Sequence, residues 1–421
     1  MKLFTILLFI ATYVLMISLP KHRYLVAVTS ALICSISGAM PLGSALAEIN
    51  WNVLLMLAGT MGTVALFIDS KMPGRMADLL LKKTPNVMWV AVALSLFAGI
   101  VSAFVDNVAT VLMIAPVALA IAKRLDVSPV PLLISIAVSS NLQGAATLVG
   151  DTTSILLGGY AGMDFLDFLF MDGRFSIFWA VELGALATVP IIMILFRKDR
   201  APVTVGEPTA VTDYFPSFLL LATVVLLIAA SFIPGRPELT NGYICAGLFL
   251  IGLVRTLAKG NRELVKRVWG EIDVQTLLLL AGLFVVIGTL THQGVINDIS
   301  GLFVKLGGDN LFFMYSLIVW GSVLASAFID NIPYVATMLP VVQGIAAMMG
   351  RDPTVLYFGL LVGATLGGNL TPIGASANIA AICILQKGGY EVKTKDFLRI
   401  GAPFTLTAVV VGYLFCWFVW A

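Results

Sequence analysis

Two six-residue stretches decide how this chain is read: Ser102-Ala103-Phe104-Val105-Asp106-Asn107 and Ser326-Ala327-Phe328-Ile329-Asp330-Asn331. They are one segment written twice, 224 residues apart, with Val105 exchanged for Ile329. The offset persists outward. Pro116 recurs as Pro340, and Gly144, Thr147, Gly150 and Ile155 recur as Gly368, Thr371, Gly374 and Ile379. Upstream, Leu54-Leu55 and Leu57-Ala58-Gly59 match Leu277-Leu278 and Leu280-Ala281-Gly282 at an offset of 223. One offset held over about 100 residues, and carried by glycines and polar residues, marks a duplicated unit.

The medium of this duplicated chain follows from composition. Of 421 residues 59% are hydrophobic and only 11% charged, with a mean hydropathy of +1.01. A soluble globular protein carries roughly 25% charged residues, so this chain has too little charge to cover a water-facing body of its size. Lipid has the opposite demand, rewarding apolar surface and penalising charge. The net charge of +2 leaves no basic tail for nucleic acid. Cys34, Cys245, Cys383 and Cys416 lie scattered in apolar stretches without a CxxC, as small buried hydrophobes do. The first apolar run, Leu3 to Leu19, lacks a small-residue cleavage site, and the next run follows directly after Lys21-His22-Arg23. It reads as a first membrane helix, not a signal peptide.

A membrane span needs about 20 mostly apolar residues. On that rule spans are expected near 3–19, 24–43, 51–69, 131–159, 175–196, 215–233, 240–258, 272–291, 355–385 and 400–420. Regions 87–122 and 311–349 instead hold two apolar arms joined by the Asp-Asn pair. The arm from Val108 to Ala122 covers about 22 Å of helix, short of the roughly 30 Å hydrocarbon core. Both regions therefore read as re-entrant hairpins instead of pairs of short tilted spans. The expected fold is an all-α polytopic membrane protein of two inverted repeats, five spans each (10 transmembrane helices), with two re-entrant hairpins and two broken helices. Residues 1–196 form the N-terminal repeat, 197–214 a cytoplasmic linker and 215–421 the C-terminal repeat. Five crossings is an odd number, so the second copy sits upside down relative to the first.

Charge placement tests this topology independently. With the N-terminus outside, 20 of the 25 Lys and Arg fall in inner loops, leaving Lys2, Arg174, Arg236, Lys305 and Arg351 outside. The positive-inside rule then places both termini outside a cytoplasmic (inner) membrane. The linker falls inside, so Thr204 should label only from the cytoplasm.

With the Lys and Arg expected in loops, Asp106, Asp330, Asp151 and Glu182 remain at membrane depth, with Asp69 and His292 near span ends at an offset of 223. An ionisable residue in the membrane is a functional candidate by default, because burying it is costly unless something compensates. Asp106 and Asp330 are repeat-related, and each sits where a hairpin must turn. Each either caps the second arm, or helps hold Na⁺ or a proton where helix ends and unwound carbonyls meet, and the two roles are compatible. Both are expected to change charge during a transport cycle. Glu182 reads as a partner for a polar group in a neighbouring helix or as a transport residue, and His292 as a solvated span end or a pH sensor, while Trp417 and Trp420 suit an interfacial anchor. The second constellation is the interrupted span, Asn141-Leu142-Gln143-Gly144-Ala145-Ala146-Thr147-Leu148-Val149-Gly150-Asp151-Thr152-Thr153-Ser154 in one half and Gly367-Gly368-Asn369-Leu370-Thr371-Pro372-Ile373-Gly374-Ala375-Ser376-Ala377-Asn378 in the other. Gly, Pro and hydroxyl residues at this density break a helix and expose backbone to a ligand, or else make a packing kink for close helix approach. Inverted repeats with broken helices at matching positions are the pattern of a secondary transporter with its site near the midplane.

On SAFVDN at 102–107, NLQGAATLVGD at 141–151, SAFIDN at 326–331 and GNLTPIGASANI at 368–379, the sequence resembles the arsenite-permease/sodium–proton antiporter (ArsB/NhaD) group of the ion transporter superfamily, related to citrate and dicarboxylate transporters. With the spacing between them these motifs cover essentially the whole chain. The resemblance implies a scaffold domain and a transport domain, an elevator motion and a homodimer. Carried over by position, it implies substrate or ion binding by Asp106, Asn107, Thr147, Asp151, Asp330, Asn331, Thr371 and Asn378. Where many relatives read Gly-Asp-Pro-Pro-Asn, this chain has Gly150-Asp151-Thr152-Thr153-Ser154.

The expected function is secondary active transport of a small inorganic ion, of the arsenite or Na⁺ type, coupled to protons through alternating access. The alternative is Na⁺-coupled symport of a dicarboxylate, citrate or another anion. Absence of Lys or Arg from the core counts against that alternative, although helix N-termini and hydroxyls can hold an anion unaided. A channel would need a continuous pore, which the occluding hairpins oppose. An enzyme is not expected, since the chain has two His and no HExxH, and no GxxxxGK[ST] loop for nucleotide appears. No cofactor is expected beyond Na⁺ or H⁺ as coupling ion. The expected partners are the ion substrate, membrane lipid and a second copy of the chain, with no nucleic acid.

Overall fold

The computed structural model describes residues 1–124, 127–202 and 208–421. Residues 203–207 of the expected linker, Thr204 among them, lie outside the described residues. The chain is almost wholly helical. Its first half holds α1 (Lys2–Ser18), α2 (Arg23–Ile36), α3 (Leu42–Glu48), α4 (Trp51–Asp69), α5 (Met72–Leu81), α6 (Val87–Ser102), α7 (Asn107–Arg124), α8 (Pro129–Gln143), α9 (Thr152–Ala161) and α10 (Ile177–Leu195). A two-residue β-hairpin, β1 (Phe170–Met171) with β2 (Arg174–Phe175), precedes α10. The second half holds α11 (Phe215–Ser231), α12 (Thr240–Ala258), α13 (Arg262–Gly270), α14 (Val274–His292), α15 (Val295–Gly307), α16 (Leu311–Ser326), α17 (Asn331–Met348), α18 (Thr354–Leu361), α19 (Ser376–Lys387) and α20 (Thr394–Trp420).

Each helix has its counterpart ten labels later. The correspondence is tightest where the motifs lie: α4 and α14 begin and end 223 residues apart, and α6/α16 and α7/α17 do so at 224. The caps repeat as well. Asn50 accepts from the Val53 amide at 3.1 Å and Asp273 from the Thr276 amide at 3.0 Å, starting α4 and α14. Asn86 and Asn310 do the same for α6 and α16, at 3.2 and 3.0 Å. A short polar side chain that satisfies an otherwise orphaned amide sets each helix start.

Apolar length alone misjudges several elements. Among the described residues seven helices are long and apolar enough to cross a membrane, or nine if each of two bent pairs counts as one span. Those pairs are α1 with α2, bent by 115°, and α15 with α16, bent by 117°. The span expected over 24–43 ends at Ile36, because Gly38 takes a φ of +74° and Pro41 follows. Helices α3, α5, α13 and α15 occupy stretches expected as loops or span ends. They are short or two-faced, and a search for long apolar runs passes over them. Helix α7 takes in Asn107, Lys123 and Arg124 to reach 18 residues, about 27 Å. Length therefore no longer separates a re-entrant arm from a crossing.

Two packing groups result. Helix α4 lies along α12 and α14 along α2, so each half leans on the other. Gly59 faces the backbone of Cys245 and Ala246, and a Cβ on its repeat partner Gly282 would sit 2.6 Å from the Ala27 carbonyl carbon. Small residues let these helices approach closely. The second group joins α6 to α10 with α16 to α20 around the interrupted segments.

Candidate substrate-binding site

The site grows from the two hairpin tips. Asp106 Oδ1 accepts from the amides of Val108 and Ala109, both at 3.0 Å, and Asp330 Oδ1 accepts from the Ile332 amide at 3.1 Å. Each aspartate therefore caps its helix, α7 or α17. Their second oxygens part company. Asp330 Oδ2 accepts from Arg23 Nη1 at 2.7 Å, whereas Asp106 stands on the wall of a cavity that Asp330 does not line. The expectation that no Lys or Arg enters the core is corrected here. The Leu19–His22 break bends α2 away from α1 and carries Arg23 to the second tip. Tyr13 fastens the same joint, donating to the Pro333 carbonyl at 2.7 Å and touching Thr337.

Both broken helices are real breaks. In the first half α8 ends at Gln143 and α9 resumes at Thr152. In the second, α18 runs into a π turn over Val362–Leu366 and a 3₁₀ turn over Gly368–Leu370 before α19 begins. Thr147 Oγ1 donates to the Ala103 carbonyl, and its repeat partner Thr371 donates to Ala327. Ser154 Oγ donates to the Gly144 carbonyl at 2.9 Å, and its counterpart Asn378 Nδ2 donates to Gly368 and Thr371, both at 3.2 Å. Thr147, Thr371 and Asn378 thus brace the breaks against the tips and do not line the cavity. Asn378 Oδ1 is buried and lacks a partner among the described residues.

Between the breaks runs a buried amide and hydroxyl network. Asn107 Nδ2 donates to Asn141 Oδ1 at 3.0 Å, and Asn141 Nδ2 to Asn369 Oδ1 at 3.1 Å and the Thr365 carbonyl at 2.9 Å. Asn369 Nδ2 closes the chain on the Val138 carbonyl at 2.8 Å. Asp151 caps α9, accepting from the Thr152 amide at 2.7 Å, and also accepts from Thr153 Oγ1 at 3.1 Å and, more weakly, from Asn331 Nδ2 at 3.4 Å. Thr153 meets Thr365 at 3.0 Å. Sequence reading passed over Asn141, Thr153, Thr365 and Asn369 as site residues. Asn141 falls on Thr365 at the repeat offset and Asn369 on Ala145, so the repeat criterion does not single them out. Amides inside an apolar broken helix were the available signal.

A cavity of about 460 Å³ gathers four of the eight expected site residues, Asp106, Asn107, Asp151 and Asn331. Four helices begin on its wall, α7 at Asn107, α9 at Thr152, α17 at Asn331 and α19 at Ser376. Aspartates cap the first three. Ala375 stands before α19, at the repeat position of Asp151, and supplies no side-chain cap. The cavity reaches the surface between α4 and α13, where Arg267 pairs with Asp69 at 2.9 Å and Glu271 and Asp273 are exposed. The repeat-related joint, at the ends of α14 and α3, is shut. There His292 Nε2 meets Glu48 Oε1 at 3.1 Å, and a Cβ on Gly288 would lie 2.5 Å from Glu48 Cγ. The repeat partners of Glu48 and Gly288, Glu271 and Ala65, instead line the open cavity. Half-buried Glu182, on α10, is not on its wall.

A polytopic helical fold whose duplicated broken helices and hairpin tips meet at a cavity with carboxylates and amides on a partly apolar wall defines a secondary transporter. The chain belongs to the CitMHS family, described as citrate transporters, whose model matches residues 13–363. That match, and not the ArsB/NhaD group that the motifs resemble, fixes the family. The chain is 31% identical to the uncharacterized transporter Rv2684 of Mycobacterium tuberculosis over 99% of this chain and 98% of that one. It is 26% identical to the human P protein over 95% of this chain, which spans 58% of that protein. The fold is similar to the crystal structure of the YdaH transporter of Alcanivorax borkumensis, with a TM-score of 0.61 and 12% identity, covering 91% of this chain and 87% of that one.

Proposed function

We propose that this transporter carries a small anion bearing two or more carboxylates, of the citrate or dicarboxylate kind, together with Na⁺ or H⁺. The convergence of four helix N-termini on one cavity carries the reading. Each N-terminus brings about half a positive charge, which favours an anion. Asp106, Asp151 and Asp330 take up first-turn amides of α7, α9 and α17, whereas α19 has no such cap. The uncapped start of α19 leaves its first amides free to meet a carboxylate. Arg267, paired with Asp69 at the mouth, puts one fixed cation on the cavity wall. Asp106 and Asp151, with Asn107 and Asn331, supply oxygen ligands for the coupling cation, and Asp330 serves the second tip. In this reading the chain is a homodimer in the cytoplasmic membrane with both termini outside. Each subunit has two inverted five-span repeats and alternates access by an elevator motion. Asp106 and Asp151 also suit a cation as sole cargo, which keeps arsenite or Na⁺/H⁺ exchange as the competing outcome.

Transport by purified protein in liposomes, under imposed pH and Na⁺ gradients, decides between them. Uptake of citrate or succinate is expected, and flux of arsenite or Na⁺ without any response to carboxylates overturns the reading. A substitution sharpens the test. Ala375→Asp copies the cap that Asp151 provides in the other half, occupying the free amides of α19 and adding a negative charge. Losing about 1.5–3 kcal/mol of charge-assisted hydrogen bonding should weaken carboxylate affinity roughly 10- to 150-fold, read as the concentration giving half-maximal uptake.

A further inference from the structure

A second cavity, of about 390 Å³, lies far along the chain from the residues used above. It is formed by Ile191, Ile194 and Leu195 at the end of α10, by Arg197 and Lys198 just beyond, and by Arg399, Ile400 and Pro403 near the start of α20. Every polar residue on its wall is a cation, and no carboxylate lines it. Among the described residues Arg197, Lys198 and Arg399 make no ion pair. The remaining five are apolar, and Ile194 is 61% exposed on the outer surface of α10. Three full positive charges outweigh the roughly half negative charge at the end of α10.

We propose that this groove binds the headgroup of an anionic phospholipid. Phosphate meets Arg197, Lys198 and Arg399, while the glycerol and the first acyl carbons lie on Ile191, Ile194, Leu195 and Ile400. Basic pockets between membrane helices are suited to such headgroups, each Lys or Arg adding to the attraction. Arginine gives phosphate a planar, two-pronged partner and lysine a compact charge. Free phosphate shares the charge but has nothing to place against the apolar wall. Phosphatidylcholine has the chains but no net charge.

The test is the melting temperature of the purified full chain in neutral detergent, titrated with phosphatidylglycerol, phosphatidylcholine or inorganic phosphate. A saturable rise with phosphatidylglycerol alone is expected. Combining Arg197→Gln, Lys198→Gln and Arg399→Gln should raise the half-saturating lipid concentration at least about tenfold. Ile194→Trp, which fills the groove and keeps every charge, should weaken the response too, and it decides the matter if the triple variant does not fold. Lys82→Gln, Lys83→Gln and Lys123→Gln together, which remove the same charge from other loops, should leave it unchanged. An equal rise with phosphatidylcholine, an equal rise with phosphate alone, or an unaltered lipid response in the groove variants overturns the proposal.

Discussion

Asp106→Asn should fold, keep its helix and lose most of its transport. Asparagine retains an oxygen to accept from the amides of Val108 and Ala109, so the cap on α7 survives. What disappears is the negative charge on the cavity wall and, under the proposed coupling, the exchange of a proton for a cation. Loss of one charge-assisted contact to the coupling ion, about 1.5–3 kcal/mol, lowers flux at limiting ion roughly 10- to 150-fold. Proteoliposomes with an internal pH reporter, run on both sides of neutrality, give the measurement. Asp106→Ala separates the two roles, since it also removes the cap and should cost about 1 kcal/mol of stability. Wild-type flux and pH dependence in Asp106→Asn would reduce this carboxylate to a cap and move coupling to Asp151.

The matching aspartate should behave differently. Arg23→Gln leaves the Asp330 carboxylate without its cation in a place where the two side chains are only 32% and 19% exposed. Breaking a buried pair by removing one partner costs more than removing both, because the surviving charge has no compensation. Partial exposure softens this to about 2–3 kcal/mol, read as a fall in melting temperature. Adding Asp330→Asn should restore most of the loss, which a double-mutant cycle measures directly. Failure to restore it would place Arg23's contribution in its weak bond to the Met16 carbonyl, at 3.4 Å. The same cycle on Asp69 and Arg267, where the arginine is 66% exposed, should give close to nothing.

This difference between Asp106 and Asp330 was not legible in the sequence. Both sit in the same hexapeptide, so any argument from the motif treats them alike. The duplication, the two breaks and both tips could be read because they depend on residues at a fixed offset and on glycine, proline and aspartate acting locally. The cavity depends on what does not repeat. Asp151 faces Ala375 across the offset, and Asn141 faces Thr365. The reach of Arg23 depends on a 115° bend, which Pro20 hints at but whose direction only packing sets. The short helices α3 and α13 were passed over for a related reason. They carry charge among apolar residues, and a rule built on long apolar runs is blind to them. The substrate ranking suffered most from this. It rested on a core without cations, whereas a loop cation had been drawn into it.

At the ends of α3 and α14 the two copies differ. Glu48 is pressed against Gly288 on one face, while Glu271 and Ala65, which occupy the same places in the other copy, stand apart across open space. The same joint therefore occurs twice in one molecule, closed where Glu48 meets Gly288 and open where Glu271 and Ala65 line the cavity. Under the proposed inverted arrangement, the duplicated chain would carry its own opposite state, as a glove turned inside out carries the other hand. Exchanging the two halves' geometries would close the mouth beside α13 and open one beside α3.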